Sequence, residues 1–305
     1  MSKAGVLVKR KAEGKPSVPA KAGSPGKLFV VGTPIGNLED ITYRALRTLR
    51  EADLIACEDT RRTQLLLKHY GITTSTISYH EHNEMTRAPE LIIELEQGSH
   101  LALVSDAGMP VISDPGYRLV HLAIRHGIPV VPIPGASAFV AALAAAGLPV
   151  DKFRFLGFLP PRKMARRRAL KDFHGASKTL VFYEAPHRLV DMLEDIREVL
   201  GDPPVVVARE VTKIYEEFLR GSASEVLARL RKGAVKGEIT VLVAPQAARP
   251  EKTEAATDSV AREVRRVMAT EGLDERRALK QVARAKGISR SEAYRQWQTE
   301  KTSSS

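Results

Sequence analysis

Leu28-Phe29-Val30-Val31-Gly32-Thr33-Pro34-Ile35-Gly36-Asn37-Leu38 decides the fold. A short apolar run ends in a turn built from glycine and proline, which is how a strand leaves a sheet through a tight loop. The same rhythm continues downstream. Residues 28–32, 53–58, 101–106 and 129–134 read as strands, and 41–52, 60–70, 87–96, 117–126 and 137–146 read as helices between them. Strand and helix in alternation build a doubly wound parallel sheet, so residues 28–150 are expected to form an N-terminal α/β domain. Ligands of such sheets bind outside the carboxyl ends of the strands.

Three loops fall at that edge. The first places Thr33-Pro34-Ile35 between its two glycines, which breaks the Gly-x-Gly-x-x-Gly spacing of a dinucleotide site, and Pro34 removes a backbone donor from any phosphate cradle. Glu58, at the end of the second strand, is only a weak counterpart of the acid that binds a nicotinamide ribose. Ser105-Asp106-Ala107-Gly108-Met109-Pro110-Val111-Ile112-Ser113-Asp114-Pro115-Gly116 is a sharply turned loop whose amides can face a ligand, and Pro132-Ile133-Pro134-Gly135-Ala136-Ser137-Ala138 leads into an Ala-rich helix. Any one of these is an ordinary turn. Three at one edge point to a binding crevice.

Residues 151–247 change character: strands at 153–159, 179–184, 205–210, 214–220 and 238–244 with few helices among them, the stretch 214–221 returning as a hairpin, define a second, mixed α/β domain. A Pro-bearing polar linker at 248–257 leads to helices at 259–270, 274–286 and 290–299, a helix-turn-helix-like module over 258–305 that opens its last helix with the Ser289/Glu292 capping box.

Composition narrows the partners. The chain has 305 residues and a formal charge of +11, and that charge sits at the ends: residues 1–27 hold seven Lys/Arg against one acid, and 255–305 hold eleven against seven. Residues 1–27, poor in apolar periodicity, are expected to be a disordered basic arm rather than a leader. No apolar run suits a membrane helix, and a single cysteine, Cys57, makes no internal disulfide, so a cytoplasmic setting without a membrane partner is expected.

Further residues carry chemistry. Glu184, where a strand ends and Pro186 starts a helix, reads as a polar group of the crevice with Arg188 as a phosphate or carboxylate partner; an ordinary ion pair between the two is the competing reading. His80 and His82, on alternate positions of an extended segment, are weighed as metal ligands, as substrate contacts and as exposed loop, and no other cluster completes a metal site. Asp59 caps the next helix while Arg61 faces RNA. Arg162, Lys163, Arg166, Arg167, Arg168 and Lys171 put six cations and no acid into ten residues, which repel unless phosphate or carboxylate neutralises them. An RNA clamp is favoured over a solvated helix, with each of Arg166, Arg167 and Arg168 expected to neutralise a phosphate.

Taken in order, Gly32 to Asp40, Glu58-Asp59-Thr60-Arg61, His80-Glu81-His82-Asn83-Glu84, the 105–116 loop, Phe182-Tyr183-Glu184-Ala185-Pro186-His187-Arg188 and Lys236-Gly237-Glu238-Ile239-Thr240 resemble the ribosomal RNA small subunit methyltransferase I family of the tetrapyrrole-methylase superfamily. The resemblance covers roughly residues 27–245 and runs on into the helical module. It implies two α/β domains with S-adenosylmethionine as methyl donor between them, a homodimer, and 2'-O-methylation of the ribose of cytidine 1402 in 16S ribosomal RNA within the small subunit. By position it implies donor contacts from Thr33, Pro34, Ser105, Asp106, Ala107, Met109, Ser137 and Ala138, completed by Tyr183 and Thr240, and leaves Glu184 and Arg188 as catalytic candidates. The alternatives are a tetrapyrrole methylase, which shares the fold, and a non-catalytic RNA-binding assembly factor.

Overall fold

Strands buried on both faces need helices on both sides, and the first half of the chain supplies them. In the computed structural model, which describes residues 24–246 apart from 232 and 234, and then 260–302, β1 (Leu28–Val31), β2 (Leu54–Cys57), β3 (Thr76–Ser78), β4 (Leu101–Val104) and β5 (Val130–Ile133) form a wholly parallel sheet in the order β3-β2-β4-β1-β5. The expected arm up to residue 23 and the expected linker lie outside the described residues.

The connecting helices are α1 (Tyr43–Glu51), α2 (Thr60–His69), α3 (Glu84–Glu96), α4 (Tyr117–Arg125) and α5 (Ala138–Ala146). Alternate strand residues face opposite sides: Leu28, Leu101 and Leu103 pack with Leu91 and Leu95 of α3 and Leu119 of α4, whereas Val31, Ile55 and Ala102 pack with Leu49 of α1 and Leu67 of α2. From β1 the chain steps outward to β2 and β3, returns to β4 beside β1, and crosses to β5 on the other flank. Strand order therefore reverses at β1, and the loops after β1, β2, β4 and β5 share one edge.

Two elements of this first half differ from the sequence reading. β3 was not anticipated; three half-buried residues at the sheet edge carry too short a pattern. The helix expected from residue 87 begins at Glu84, because the Asn83 side chain accepts the His80 N–H at 2.8 Å and the Asn83 carbonyl accepts the Arg87 N–H at 2.9 Å, closing an earlier turn.

The second sheet holds β6 (Phe153–Phe158), β7 (Thr179–Glu184), β8 (Pro204–Arg209), β9 (Glu217–Ser222) and β10 (Ile239–Val243) in the order β6-β7-β10-β8-β9, parallel only between β6 and β7. The hairpin return is β9, which starts at Glu217 because residues 214–215 stay in the loop. Helices α6 (Lys163–Lys171), α7 (Leu189–Leu200) and α8 (Ala223–Leu230) accompany it, α8 opening with a capping box in which Ser222 Oγ accepts from Glu225 N and the Glu225 carboxylate accepts from Ser222 N. Ile35, from the loop after β1, shares a core with α5 and with Val181, Val206 and Leu242 of the second sheet. Both sheets lie in one compact unit.

The other unit carries α9 (Val260–Glu271), α10 (Glu275–Ala285) and α11 (Arg290–Thr302) around Val264, Leu279, Val282, Ala293 and Trp297. Asp274 caps α10 through the Arg277 N–H at 2.7 Å, and Ser289 Oγ accepts from Glu292 N at 3.2 Å. No helix among the described residues is long and apolar enough to cross a membrane.

The basic helix α6 corrects an expectation. Arg166 is 2% exposed and its Nε donates to Asp195 of α7 at 2.7 Å, with Nη1 on the Pro161 carbonyl. Arg167 Nε donates to the other oxygen of the same carboxylate at 2.7 Å and also meets Glu198. Carboxylate, not phosphate, neutralises these two guanidinium groups, so Arg166 does not face RNA and Arg167 is committed to α7. Arg162, Lys163 and Arg168 remain exposed.

Stripping Asp195 leaves Arg166 charged in the interior. Asp195→Ala should cost about 3–5 kcal/mol, the scale for removing one partner of a buried pair. The midpoint of urea unfolding reads it, and a loss below about 1 kcal/mol would mean that water solvates Arg166 in the native state.

Candidate active site

The loops at the carboxyl edge of the first sheet face β7 and β10 of the second across a cleft of about 410 Å³. That is room for a drug-sized ligand, since such sites run from roughly 300 to 1,000 Å³.

The first wall is fixed from behind. Thr33 is buried; its Oγ1 donates to the Ser105 carbonyl at 3.3 Å, and its backbone exchanges hydrogen bonds of 2.9 and 3.1 Å with Gly108, so the loops after β1 and β4 are tied together. Gly32 and Gly135 touch where the loops after β1 and β5 leave the sheet: a Cβ on Gly32 would stand 2.7 Å from Gly135 Cα. Thr33, Pro34 and Ser105 are consequently supports, and none of them lines the cleft. Ile35, Asp106, Ala107, Met109, Ser137 and Ala138 do.

Carboxylates dominate this wall. Asp106 Oδ1 accepts the Asp59 N–H at 3.1 Å and its Oδ2 lies 3.3 Å from Arg62. Burial pushes Asp114 up to about 6, with the negative charges of Glu58 and Asp106 adding to it and a bond from Ser105 opposing. Burial and then Asp106 also raise Glu58. Arg61, expected at RNA, points its guanidinium to the Asp59 carboxylate at 2.8 Å while remaining 87% exposed; its bonds hold Asp59 down at about 2.

The second wall comes from the antiparallel β7–β10 pair, in which Tyr183 lies opposite Thr240 and Glu184 opposite Ile239. Tyr183 packs against Phe155 and Phe158, ring centroids 5.0 and 5.8 Å away, and burial raises its phenol. Glu184, buried in the lining, accepts the Ala185 N–H through Oε1 at 2.8 Å, and the same oxygen is 3.2 Å from Arg188 Nε; Oε2 is buried with no hydrogen-bond partner among the described residues. Burial raises its carboxyl, against the pull of the Ala185 amide and Arg188. Glu184 thus lines the cleft and is at the same time ion-paired with Arg188. Arg188 stands outside the lining, its Nη2 donating to the Leu159 carbonyl at 2.7 Å.

His80 and His82 lie outside the lining too, their rings 5.9 Å apart, and the described residues contain no group of three side chains able to hold a metal. Lining residues that sequence reasoning did not single out include Arg62, Phe158 and Val211. Arg62 stands one residue beyond a quoted motif. Val211 carries no pattern: it reaches the cleft between Glu210 (φ 52°) and Thr212 (φ 68°), a turn that sequence does not announce.

Residues 27–227 match the family model described as Tetrapyrrole (Corrin/Porphyrin) Methylases. The chain is 49% identical over 271 residues to the ribosomal RNA small subunit methyltransferase I of Halalkalibacterium halodurans, covering 88% of this chain and 93% of that one. It is 52% identical over 218 residues to the protein of the same name from Thermotoga maritima, covering 72% and 98%. Among solved structures, cobalt precorrin-4 methyltransferase superposes with a TM-score of 0.55 at 17% identity, covering 72% of this chain and 94% of that one. Uroporphyrin-III C-methyltransferase from Thermus thermophilus, complexed with S-adenosylhomocysteine, gives 0.52 at 20%, covering 72% and 97%; at these identities the likeness is one of fold.

Asp114 sets a pH test. Its folded value of about 6 exceeds the ordinary 3.8, so the stability it contributes is present below about pH 4 and lost as pH rises through 6. Asp114→Asn should therefore stabilise the protein by about 1–2 kcal/mol near pH 8 and leave it unchanged near pH 4, by urea unfolding at each pH. Equal effects at both pH values would show that Asp114 titrates normally.

Proposed function

The chain belongs to the ribosomal RNA small subunit methyltransferase I family and carries its tetrapyrrole methylase domain, and from that premise we propose that the cleft between the two sheets binds S-adenosylmethionine and that this methyltransferase 2'-O-methylates the ribose of cytidine 1402 in 16S ribosomal RNA. The observation that carries the reading is the place of the cleft. It opens at the strand ends where the order reverses at β1, where a doubly wound sheet binds its ligand. The residues present fit such a donor: the volume suffices, the lining is acidic toward a cationic group, and no pyrophosphate cradle is required of a loop that contains Pro34.

When bound, the donor supplies an already activated methyl group. The chain must then position the ribose hydroxyl, exclude water and accept a proton. Ile35, Met109, Phe158 and Val211 provide the apolar part of the lining. Glu184 is the candidate proton acceptor, because its Oε2 is buried in the wall without a partner and its carboxyl is raised, which makes the anion a better base. Arg188 orients it through Oε1 and is a positioning residue. Asp106, Ala107, Ser137, Ala138, Tyr183 and Thr240 are proposed donor contacts, with Thr33, Pro34 and Ser105 holding their loops.

RNA is proposed to lie against Arg162, Lys163 and Arg168, with Arg61 at the start of α2, His80 and His82 after β3, and the C-terminal helical unit as further contacts. A homodimer and a cytoplasmic setting complete the reading, supported by the resemblance and by the single, buried Cys57. A tetrapyrrole substrate is disfavoured: the 49% and 52% identical relatives carry ribosomal RNA in their names, while the tetrapyrrole enzymes share the fold at 17–20% identity.

Incubation with labelled S-adenosylmethionine and 30S subunits should place label on one ribose of 16S RNA, located by primer extension or mass mapping; label on a base, or none, would overturn the assignment. Glu184→Gln should lower kcat by about 10²–10⁴-fold with donor affinity held within a few-fold, the range for loss of a general base. Replacing Arg162, Lys163 and Arg168 together by Ala should reduce the slope of log RNA affinity against log salt by about 2–3 units, at 0.7–0.9 per phosphate contact. An unchanged slope would leave the helical unit as the electrostatic grip.

A further inference from the structure

The cleft holds an excess of negative charge that binding alone does not require. Glu58, Asp106, Asp114, Glu184 and Glu238 line it against one cation, Arg62. Arg62 is engaged by Asp106 at 3.3 Å, and Glu238 is offset by Lys213 at 3.3 Å. Among the described residues neither Glu58 nor Asp114 makes an ion pair; Asp106 disfavours ionisation of both and Glu58 that of Asp114, while Arg62 and His80 draw Glu58 only weakly the other way. A second feature lies in the same place: Glu184, a lining residue only 2% exposed, keeps its Oε2 buried with no hydrogen-bond partner among the described residues. Clustered carboxylates with unsatisfied acceptors are unfavourable in an empty site and become favourable when a cation enters it.

We propose that Glu58, Asp106 and Asp114 act as a charge filter, holding the cationic sulfonium donor and releasing the neutral thioether that remains after transfer. The proposal rests on the donor reading above and adds to it a determinant of product release. The chemistry balances. The S–CH3 bond breaks with its electron pair kept by sulfur, which loses its positive charge; a C–O bond forms to the ribose oxygen, and the hydroxyl proton leaves to a base. The ligand therefore changes by one unit of charge at the moment of reaction, and the carboxylates that stabilised it lose their partner. Proton uptake by the cleft follows, because the groups acting on Asp114, Ser105 and Asp106 on its own loop, Glu58 after β2 and Tyr183 on β7, bring no positive charge.

The test is calorimetry on the full-length protein with three probes: S-adenosylmethionine, S-adenosylhomocysteine, and sinefungin, which carries a protonated amine where the donor has its methylated sulfur. At about pH 8 both cationic ligands should bind at least about tenfold more tightly than S-adenosylhomocysteine, and at about pH 5 the gap should shrink several-fold. Asp114→Asn and Glu58→Gln, near-isosteric and made separately so that one folded variant suffices, should each narrow the gap by lowering affinity for the cations and leaving that for the thioether unchanged or raised. Equal affinity for donor and thioether in the wild type, or a gap that persists in both variants and at low pH, would overturn the filter and leave the donor site standing. A preference for S-adenosylmethionine without one for sinefungin would overturn it as well, by assigning the discrimination to methyl packing. Binding of none of the three would overturn the donor reading and the filter together.

Discussion

Backbone meets backbone where Gly32 passes Gly135, and the geometry of the site follows from that approach. A Cβ at either position would fall 2.7 Å from the other residue's main chain, closer than any side chain tolerates, so the loops after β1 and β5 leave their neighbouring strands together only because both residues are glycine. The Thr33–Gly108 bridge then joins the loop after β4 to the same pair. Three loops become one wall. Ile35 leaves that wall to pack with Val181, Val206 and Leu242, and this apolar contact holds the second sheet opposite it. The first wall is thus shaped by how tightly three loops are stacked, through main-chain contacts rather than mobile side chains.

Charge is sorted around that cleft in a way that net charge alone conceals. A central region close to neutral turns out to be acidic inside, through Glu58, Asp106, Asp114 and Glu184, and basic outside, through Arg162, Lys163 and Arg168. The separation depends on Arg166 and Arg167 being spent on Asp195 and Glu198, which locks α6 to α7 and directs the remaining cations of that helix outward. Polyanion and cationic ligand can then be held by one chain without competing for the same residues, because the acidic groups line the cleft and the unpaired cations of α6 do not.

The fold was legible where period and punctuation agree. Every strand of the first sheet except β3 and all five of its helices follow from apolar runs bounded by glycine, proline and capping residues, within a few residues at each end. β3 escaped because three half-exposed residues carry no period. At the site, legibility follows the origin of each contact. Asp106, Ala107, Met109, Ser137 and Ala138 belong to loops that sequence marks by composition. Arg166 carries a charge in the sequence, but its partner lies 29 residues away on another helix, and pairing at that distance leaves no local trace. The same limit explains Thr33 and Ser105, whose motif positions are plain while their inward orientation is a tertiary fact.

Backbone strain shows what the second wall is built to hold. Among the described non-glycine residues with positive φ, Ser113 lines the cleft, Val111 precedes the lining residue Ile112 in the same loop after β4, and Glu210 and Thr212 flank the lining residue Val211. Each such conformation costs about 1–3 kcal/mol and persists only where its surroundings impose it. Those surroundings are visible for Glu210, whose carboxylate accepts from the Glu238 N–H at 2.8 Å and from Lys213 at 2.9 Å, and for Thr212, whose Oγ1 accepts from Asn37 N at 3.3 Å. The last of these bonds runs from the loop after β8 to the loop after β1, and therefore across the joint between the two sheets. Val211 is pressed into the lining by neighbours that are themselves fastened to both walls, which makes the turn at 210–216 a strap that fixes the separation of the walls in addition to the apolar contact of Ile35.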